Sequence, residues 1–472
     1  MLGARRWAHE NAIAHKPWLI LGKGPSFARY RAEDHANAGI LALNHAARAV
    51  RCDAALMMDY DVFAQCGEAI AANARFVLMP WRPHLKFRAG RTTLADLVAR
   101  DSRLAALDAA GRLIAFNAMT GARRAPFPDE PWTGVEHFSA EAALNLLADN
   151  GVARITTLGI DGGASYAGAF GDLAGQTLLA NGARSFDRQF ENFAAALARR
   201  PALQFWPHDL GGPARIFIGA DETQALAAKV LAHSIKKHAS LSVACERIDN
   251  ADLPTPRDPM NRARTGFSFA RLRIPELCGR QGRAIYLDAD MLVFTDIRDL
   301  WSRPFGEARL LYALSEDRAR RPQYSVMLLD CANLDWDARA LIAALDSGAL
   351  TYSALMHDFA MTPAAHKAAA IECAWNSLER YRRGRTKLLH YTDMPRQPWV
   401  SARNRRRRLW LDALKAALGD GAVSHEEIAE EVARGHVSPL LPQWIGLSCG
   451  RDARRAAEAW RPPHILSPQG SP

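Results

Sequence analysis

The chain has 472 residues, of which 49% are hydrophobic, and its formal net charge at pH 7 is +10. This length exceeds one ordinary hydrophobic core, so two domains are expected. No stretch reaches the roughly 20 apolar residues that span a bilayer, and residues 1–7 lack a hydrophobic signal core, so a cytoplasmic protein is expected. Seven scattered cysteines without a C-x-x-C pair argue against a disulfide framework. The positive charge favours anionic partners.

The N-terminal half alternates strand-like and helical segments, which is typical of an α/β domain. A helix is predicted over residues 139–150, with Ser139 as its cap. The strands are predicted at residues 18–22, 39–44, 54–58, 75–79 and 154–159.

The first of these strands runs directly into the loop Gly22-Lys23-Gly24-Pro25-Ser26. Glycines at this place let backbone N–H groups approach a phosphate, and Ser26 could begin the next helix. The loop does not have the G-x-G-x-x-G spacing, so a tight structural turn is an equal alternative.

A segment rich in helix and strand breakers at residues 206–213 separates the two halves, and a second α/β pattern follows it. Here a strand is predicted at 215–219, an amphipathic helix at 221–238 and a strand near 241–244. The predicted organisation is two Rossmann-like domains, at 1–210 and 214–460, the second with a mixed sheet. The proline-containing tail at 461–472 is predicted to be disordered.

Residues 283–294 contain the most informative pattern, an apolar strand that runs into Asp288-Ala289-Asp290 and then resumes. Side chains alternate along a strand, so Asp288 and Asp290 are expected to point the same way. Two carboxylates on one face repel each other unless a cation lies between them. Such hard oxygen ligands suit Mg²⁺ or Mn²⁺, which then binds substrate phosphates.

Further blocks surround this pattern in the chain, at residues 216–222, 230–235, 267–275, 388–392 and 397–399. Together with Asp288-Ala289-Asp290, they make residues 214–402 resemble the family 8 glycosyltransferases. These are retaining enzymes with the GT-A fold and a nucleotide-sugar donor. The resemblance implies that Asp288, Asp290 and His390 bind Mn²⁺ or Mg²⁺, although a histidine after an apolar strand is more often structural when it stands alone. The residues that the resemblance places at the donor are Ala220, Asp221, Arg271, Asp288, Ala289, Gln323, Arg396 and Gln397.

The sequence departs from the family pattern in several places. Asp393 and Gln397 stand where the family has a glycine and a lysine, so Arg396 is the candidate to replace the lysine charge. The segment at 323–330 lacks the family's glycine. No residue is a secure nucleophile, which favours a same-face, ion-pair-like attack, with Asp358 as the candidate if a carboxylate flanks the anomeric carbon.

The N-terminal half resembles, through short motifs over residues 18–170, the Rossmann-like domain of bacterial family 42 sialyltransferases and related surface-glycan proteins. This resemblance implies a cytidine nucleotide-sugar as donor and leaves the catalytic histidine open between His45 and His137. The implied donor contacts are Gly22, Gly24, Ser26 and Asn44, with Asp161 near the site.

Arg405 to Arg408 precede Leu409-Trp410-Leu411, a combination that fits either docking on an anionic membrane or a solvated basic helix face. No nucleic-acid-binding motif accompanies these arginines. The expected function is a metal-dependent bacterial hexosyltransferase that uses a UDP-sugar to build cell-surface polysaccharide, such as lipopolysaccharide, on a glycan or lipid-linked acceptor. The alternatives are CMP-sugar transfer by the N-terminal domain and a non-catalytic glycan- or nucleotide-binding protein.

Overall fold

The computed structural model describes residues 1–86, 88–119, 126–173, 185–262, 265–317, 320–448 and 453–463. The chain forms two compact units. The N-terminal unit comprises Met1–Pro213 and Ser240–Ser242, and the C-terminal unit comprises Ala214–Ala239 and Val243–Pro472. Among the described residues, no helix combines the length and apolar character needed to cross a membrane.

The N-terminal unit consists of a parallel sheet with helices. Its strands are β1 (Leu2–Gly3), β2 (Trp18–Leu21), β3 (Gly39–Leu43), β4 (Cys52–Leu56), β5 (Ala74–Pro80), β6 (His84–Leu85), β7 (Arg88–Ala89), β8 (Leu113–Met119), β9 (Trp132–Gly134), β10 (Arg154–Leu158) and β11 (Gln204–Pro207). Its helices are α1 (Ala4–Glu10), α2 (Tyr60–Asn73), α3 (Leu94–Val98), α4 (Ser102–Ala109), α5 (Ser139–Asp149) and α6 (Gln189–Arg199).

The strand order in the main sheet is β1-β8-β5-β4-β3-β2-β10-β11, with β9 beside β8. From β2 the chain proceeds outward through β3, β4 and β5, whereas β10 and β11 lie on the other side of β2. The direction of winding therefore reverses between β2 and β10, and ligands of doubly wound sheets bind beyond the carboxyl ends of strands at such a point. All five strands predicted in this half are present.

The helix predicted at 139–150 is present as α5, but the predicted cap is wrong. Ser139 is the first residue of α5, and the carboxylate of Glu141 instead accepts hydrogen bonds from the backbone N–H groups of Glu136, His137 and Phe138, at 2.8, 3.1 and 3.1 Å. A carboxylate in the first turn satisfies amides that have no partner within the helix, and it also suits the positive end of the helix dipole.

The C-terminal unit contains a mixed sheet and a second, small sheet. Its strands are β12 (Ala214–Gly219), β13 (Val243–Ile248), β14 (Arg283–Asp288), β15 (Met291–Val293), β16 (Leu310–Ala313), β17 (Val326–Asp330), β18 (Lys367–Ile371), β19 (Ser377–Leu378) and β20 (Leu388–His390). Its helices are α7 (Ala225–His238), α8 (Ile274–Leu277), α9 (Arg298–Trp301), α10 (Ala338–Asp346), α11 (Tyr352–Met356), α12 (Arg407–Gly419), α13 (His425–Ala433), α14 (Leu441–Trp444) and α15 (Ala453–Ala459).

The order of the larger sheet is β13-β12-β14-β17-β16-β18, and the smaller sheet is β15-β20-β19. In the larger sheet β14 is parallel to β12 and antiparallel to β17, so the sheet is mixed, as expected. The molecule is therefore an α/β protein with several sheets, while the assignment of both units as Rossmann-like stays a prediction.

Two predicted boundaries in this unit are wrong. The helix predicted from residue 221 begins at Ala225, because the Asp221 carboxylate caps a short 3₁₀ turn over Glu222–Gln224 by accepting from the N–H of Thr223 at 3.0 Å. The strand predicted near 241–244 runs over Val243–Ile248, where it pairs with β12 from Ala214↔Val243 onward. Residues 464–472 of the predicted disordered tail lie outside the described residues.

Candidate metal centre

The pairing of strands explains how two aspartates and a distant histidine meet. Strand β14 ends at Asp288, two residues pass, and β15 begins at Met291, which pairs with His390 of β20. The Tyr391 N–H donates to the Asp290 carbonyl at 2.8 Å, which fixes the end of β20 beside the aspartates. Residues about a hundred positions apart in sequence thus converge at one sheet edge.

One potential ligand atom from each of Asp288, Asp290 and His390 lies within 4.8 Å of the others, and we call these three residues the triad. Their side chains are 14%, 13% and 4% exposed. Asp290 Oδ1 is buried and lies 3.0 Å from His390 Nε2, yet among the described residues no donor is oriented to hydrogen-bond with it. Two shielded carboxylates with an oxygen left unpartnered, next to an imidazole nitrogen, fit a divalent cation that takes oxygen and nitrogen ligands.

Each member of the triad is held by a further polar side chain. The Tyr286 hydroxyl donates to Asp288 Oδ1 at 2.6 Å, and Gln397 Nε2 donates to Asp290 Oδ2 at 3.0 Å. His390 Nδ1 lies 3.0 Å from Asn376 Oδ1, an acceptor, which places the ring proton on Nδ1 and turns the lone pair of Nε2 towards Asp290. Such outer contacts orient metal ligands.

The electrostatics of the triad are those of an anionic pocket. Burial disfavours the protonated form of His390 and lowers the pKa of the ring. The negative charges of Asp290 and Asp288 favour the protonated form more strongly, so the pKa of the ring is raised. Complete burial raises the pKa of Tyr286, so its hydroxyl stays protonated and remains a donor to Asp288.

The Tyr286 hydroxyl is expected to tune metal affinity. We predict that Tyr286→Phe weakens binding of Mn²⁺ by about tenfold, because loss of an outer-shell hydrogen bond typically costs 10–100-fold in affinity. Isothermal titration with Mn²⁺ measures this change, and Tyr312→Phe, in β16 of the same sheet, is the matched control. An unchanged affinity in Tyr286→Phe would mean that the hydroxyl has no part in holding the cation.

Arg271 joins the triad to the segment that precedes β17. Its Nη1 donates to the carbonyls of Gln323 and Tyr324 at 3.2 and 3.1 Å, and its Nη2 lies 3.9 Å from Asp288 Oδ1. The guanidinium also lies over the Tyr286 ring, 4.8 Å from the centroid. This buried arginine therefore fixes the backbone beside Asp288. With its amide group turned so that the oxygen faces Arg320, the Gln323 side chain accepts from Arg320 Nη2 at 2.8 Å.

The other residues that are predicted to contact the nucleotide-sugar donor lie at the ends of neighbouring strands or just after them. Ala220 and Ala289 are buried at the ends of adjacent strands, where the Ala289 N–H donates to the Gly219 carbonyl at 3.1 Å. Asp221 accepts from Thr223 and, at 3.1 Å, from the N–H of Gly266. The structure thus brings these residues to the triad's edge of the sheet and gives Asp221 a capping role in addition to its predicted role.

Three further residues keep their predicted roles as predictions, and the structure gives their surroundings. Gln397 is buried, and its amide nitrogen is engaged by Asp290 and, at 3.2 Å, by the carbonyl of Tyr391. Arg396 is exposed and lies 3.6 Å from Asp393. Asp358 is exposed just after α11 and is not part of the triad cluster.

The backbone amides of Gly22, Gly24 and Ser26 in the glycine loop of the N-terminal unit already have acceptors within that unit. The N–H groups of Gly22 and Gly24 each donate at 2.8 Å to the carbonyls of Leu158 and Gly159. The Ser26 N–H donates to the Asp161 carboxylate at 2.8 Å. These bonds favour the alternative of a tight structural turn, while the loop as a nucleotide site stays a prediction.

Asn44 and His45 follow β3 next to this loop. Asn44 has a left-handed backbone with φ of 51°, and its Nδ2 donates to Ser139 Oγ at 3.2 Å. His45 is buried, with Nε2 3.0 Å from Gln65 Oε1, and burial lowers the pKa of its ring. Among the described residues, the buried atoms Asn44 Oδ1 and His45 Nδ1 have no hydrogen-bond partner. Asn44 as a donor contact, and His45 or His137 as the catalytic histidine, stay predictions.

Lys23, in the same loop, is expected to destabilise the N-terminal unit at neutral pH. Burial and, secondarily, Arg48 lower its pKa from 10.5 to about 8. Below pH 8 the folded state must hold a charged, partly desolvated ammonium, and this penalty is relieved as the pH rises from about 8 to 10.5, because the unfolded state then binds more protons than the folded one. We predict that Lys23→Met stabilises the unit at pH 7 by up to about 3 kcal/mol, and that its advantage shrinks above about pH 8.

The urea dependence of Cys52 alkylation in the full chain measures the free energy of unfolding of the N-terminal unit. Cys52 is buried in this unit and is therefore alkylated when the unit unfolds. Lys86→Met, at an exposed lysine of the same unit, is the control. A gain that persists undiminished at about pH 10 would show that the charge of Lys23 is not its cause.

The residues that follow the arginines at 405–408 do not suit insertion into a membrane. Trp410 and Leu411 are buried on α12, with Trp410 packed against Trp399 at a centroid distance of 5.1 Å. These two side chains are therefore not available to contact lipid, while peripheral contact of the arginines with an anionic membrane stays a prediction.

Comparison with known proteins gives a match to one family. Residues 231–377 match the model of Glycosyl transferase family 8. Protein CDI of Arabidopsis thaliana is 38% identical over 92 residues, which are 19% of this chain and 36% of that protein. The chain thus spans about a third of the length of this relative.

Two solved structures are similar to part of the chain. The glycosyltransferase GlyE of Streptococcus pneumoniae TIGR4 is 16% identical with a TM-score of 0.33, covering 44% of this chain and 64% of that one. The galactosyltransferase LgtC, in complex with donor and acceptor sugar analogs, is 14% identical with a TM-score of 0.33, covering 46% and 99%. None of these matches supports the resemblance of the N-terminal half to family 42. Residues 231–377 are therefore similar to Glycosyl transferase family 8, and this similarity supports a glycosyltransferase.

Proposed function

We propose that the C-terminal unit is a retaining glycosyltransferase that depends on Mn²⁺ or Mg²⁺. It transfers a hexose from a UDP-sugar to a cell-surface polysaccharide or lipid-linked glycan in the bacterial cytoplasm. The observation that carries this proposal is the triad, in which two shielded carboxylates and a histidine nitrogen converge. One of the carboxylate oxygens has no oriented hydrogen-bond donor among the described residues.

The cation, when bound, supplies Lewis-acid stabilisation of the negative charge that develops on the departing nucleoside diphosphate. Other residues of the chain hold the metal ligands in place. Tyr286 and Gln397 hold the carboxylates of Asp288 and Asp290, and Asn376 fixes the ring of His390, so the ligands need little rearrangement. Arg271 braces the segment at 323–324, which borders Asp288 and is proposed to face the donor sugar.

Retention in this proposal proceeds by attack on the same face of the sugar from which the diphosphate leaves. Of the described carboxylates, Asp358 remains our candidate for the group that flanks the anomeric carbon. It lies on an exposed segment after α11, where Lys367 donates to the carbonyl of Phe359 at 3.0 Å. Arg396, exposed beside Gln397, is proposed to contact the donor diphosphate.

Release of nucleotide from a panel of UDP-, GDP- and CMP-sugars, with Mn²⁺ or with chelator, tests the proposal. The proposal requires release of UDP that depends on Mn²⁺. Release of CMP that is independent of metal would instead place the chemistry in the N-terminal unit, and binding of UDP without turnover under any acceptor condition would favour a binding protein.

A further inference from the structure

Two arginine-rich segments, residues 380–385 and 403–408, lie side by side next to the strand that carries His390. The carboxylate of Glu379 accepts from the N–H of Asp393 at 3.0 Å and from Nδ2 of Asn404 at 3.5 Å, which links the two segments. The Glu379 N–H in turn donates to the carbonyl of His390 at 3.0 Å. We call the exposed arginines of these segments the arginine surface, and they are Arg380, Arg382, Arg383, Arg385, Arg403, Arg405, Arg406 and Arg408.

Most of this positive charge is not neutralised within the protein. Arg380 lies 3.8 Å from Glu316, and Arg408 lies 3.7 Å from Asp412, but the two guanidiniums are 71% and 93% exposed, so these pairs contribute little. The remaining arginines have no ion pair with a carboxylate of the described residues. Like charges held this close repel each other, so the surface gains from an anionic partner.

The chemistry of the surface favours phosphate groups over a membrane. Of the described residues, the large hydrophobic side chains that are exposed are Met1, Met119, Met260, Leu277 and Leu314, and all lie outside the two segments. Stable peripheral attachment usually combines basic residues with an apolar anchor, which is missing here. A guanidinium, by contrast, binds phosphate oxygens through two parallel hydrogen bonds.

We propose that the arginine surface binds phosphate groups on the acceptor glycan and thereby places the acceptor next to the triad. This inference rests on the proposed function, because it names the substrate class of the same site. The backbone bond between Glu379 and His390 joins the surface directly to a triad residue, so a glycan anchored by its phosphates would present a hydroxyl near the donor.

The test compares the full-length protein with the triple variant Arg382→Gln/Arg383→Gln/Arg385→Gln. The matched control is Arg257→Gln, an exposed arginine of the same unit outside the surface. The probes are mannose oligosaccharides that carry phosphomonoesters, the same oligosaccharides after phosphatase treatment, and phosphatidylcholine vesicles with and without phosphatidylglycerol. Release of UDP from a UDP-sugar without acceptor, in the presence of Mn²⁺, is measured in parallel.

We expect the wild type and Arg257→Gln to prefer the phosphorylated oligosaccharides, and the triple variant to bind them about tenfold or more weakly, because three exposed charge contacts are lost. Acceptor-free UDP release should be equal in all three proteins. Equal binding of phosphorylated and dephosphorylated glycans, or undiminished binding by the triple variant, would overturn the inference. Binding only to vesicles with phosphatidylglycerol would overturn it in favour of a lipid surface. Absence of UDP release from the wild type, both with and without the oligosaccharides, would refute the proposed function instead.

Discussion

Replacing Asp290 with asparagine is expected to lower the metal-dependent turnover of a UDP-sugar by about three orders of magnitude, because a Lewis-acid contribution of several kcal/mol is lost. The substitution keeps the shape of the side chain but removes the charge from an oxygen that lies 3.0 Å from His390 Nε2 and has no oriented donor. Initial rates of UDP release in saturating Mn²⁺ measure the effect.

The control for this prediction is Asp335→Asn, at an exposed aspartate of the same unit. Circular dichroism and thermal unfolding should show that Asp290→Asn is folded, and its stability is expected to rise slightly, since the repulsion between two shielded carboxylates is relieved. Turnover in Asp290→Asn within a few-fold of the wild type would contradict the assignment of Asp290 as a metal ligand.

Replacing Gly22 with alanine is expected to destabilise the N-terminal unit by about 3 kcal/mol, because the added methyl group has no space. An alanine Cβ at this position would lie 2.2 Å from the carbonyl oxygen of Gly159 and 2.9 Å from its carbon, and both are backbone atoms in the neighbouring loop. Gly159 itself has φ of 73°, a left-handed backbone that glycine adopts without the steric cost of a Cβ.

Urea-dependent alkylation of Cys52 in the full chain measures the stability of this unit. Gly168→Ala is the matched control, since a Cβ there meets no described atom within 4 Å. If Gly22→Ala retained its stability and lost only the binding of a CMP-sugar, the loop would be a nucleotide site and our reading of its hydrogen bonds would be wrong.

The sequence predicted those parts of the candidate site that are encoded locally. Asp288 and Asp290 are predicted from alternation along a strand. The strand β14 ends at Asp288, so Asp290 lies just beyond it, but the two carboxylates still converge. The same alternation places Tyr286 on that face, so its contact with Asp288 was accessible from the sequence and was missed. His390 was reached only through a family resemblance, since no local rule shows that β20 pairs with β15.

The remaining contacts depend on pairings between distant segments. Asn376 holds His390 because β19 lies beside β20, and nothing around Asn376 in the sequence indicates this. Gln397 was interpreted as a lost lysine, whereas its amide supports Asp290. The glycine loop was expected to bind phosphate because the sequence does not show that Gly159 and Asp161 of another loop already accept from its amides.

The central claim, that the triad binds a divalent cation, is tested most directly by electron paramagnetic resonance of free Mn²⁺ during titration with the full-length protein. We predict that the wild type removes one equivalent of Mn²⁺ from solution and that Asp290→Asn and His390→Gln do not. Uptake that is the same in all three proteins, or that is absent from the wild type even with UDP present, would contradict the account.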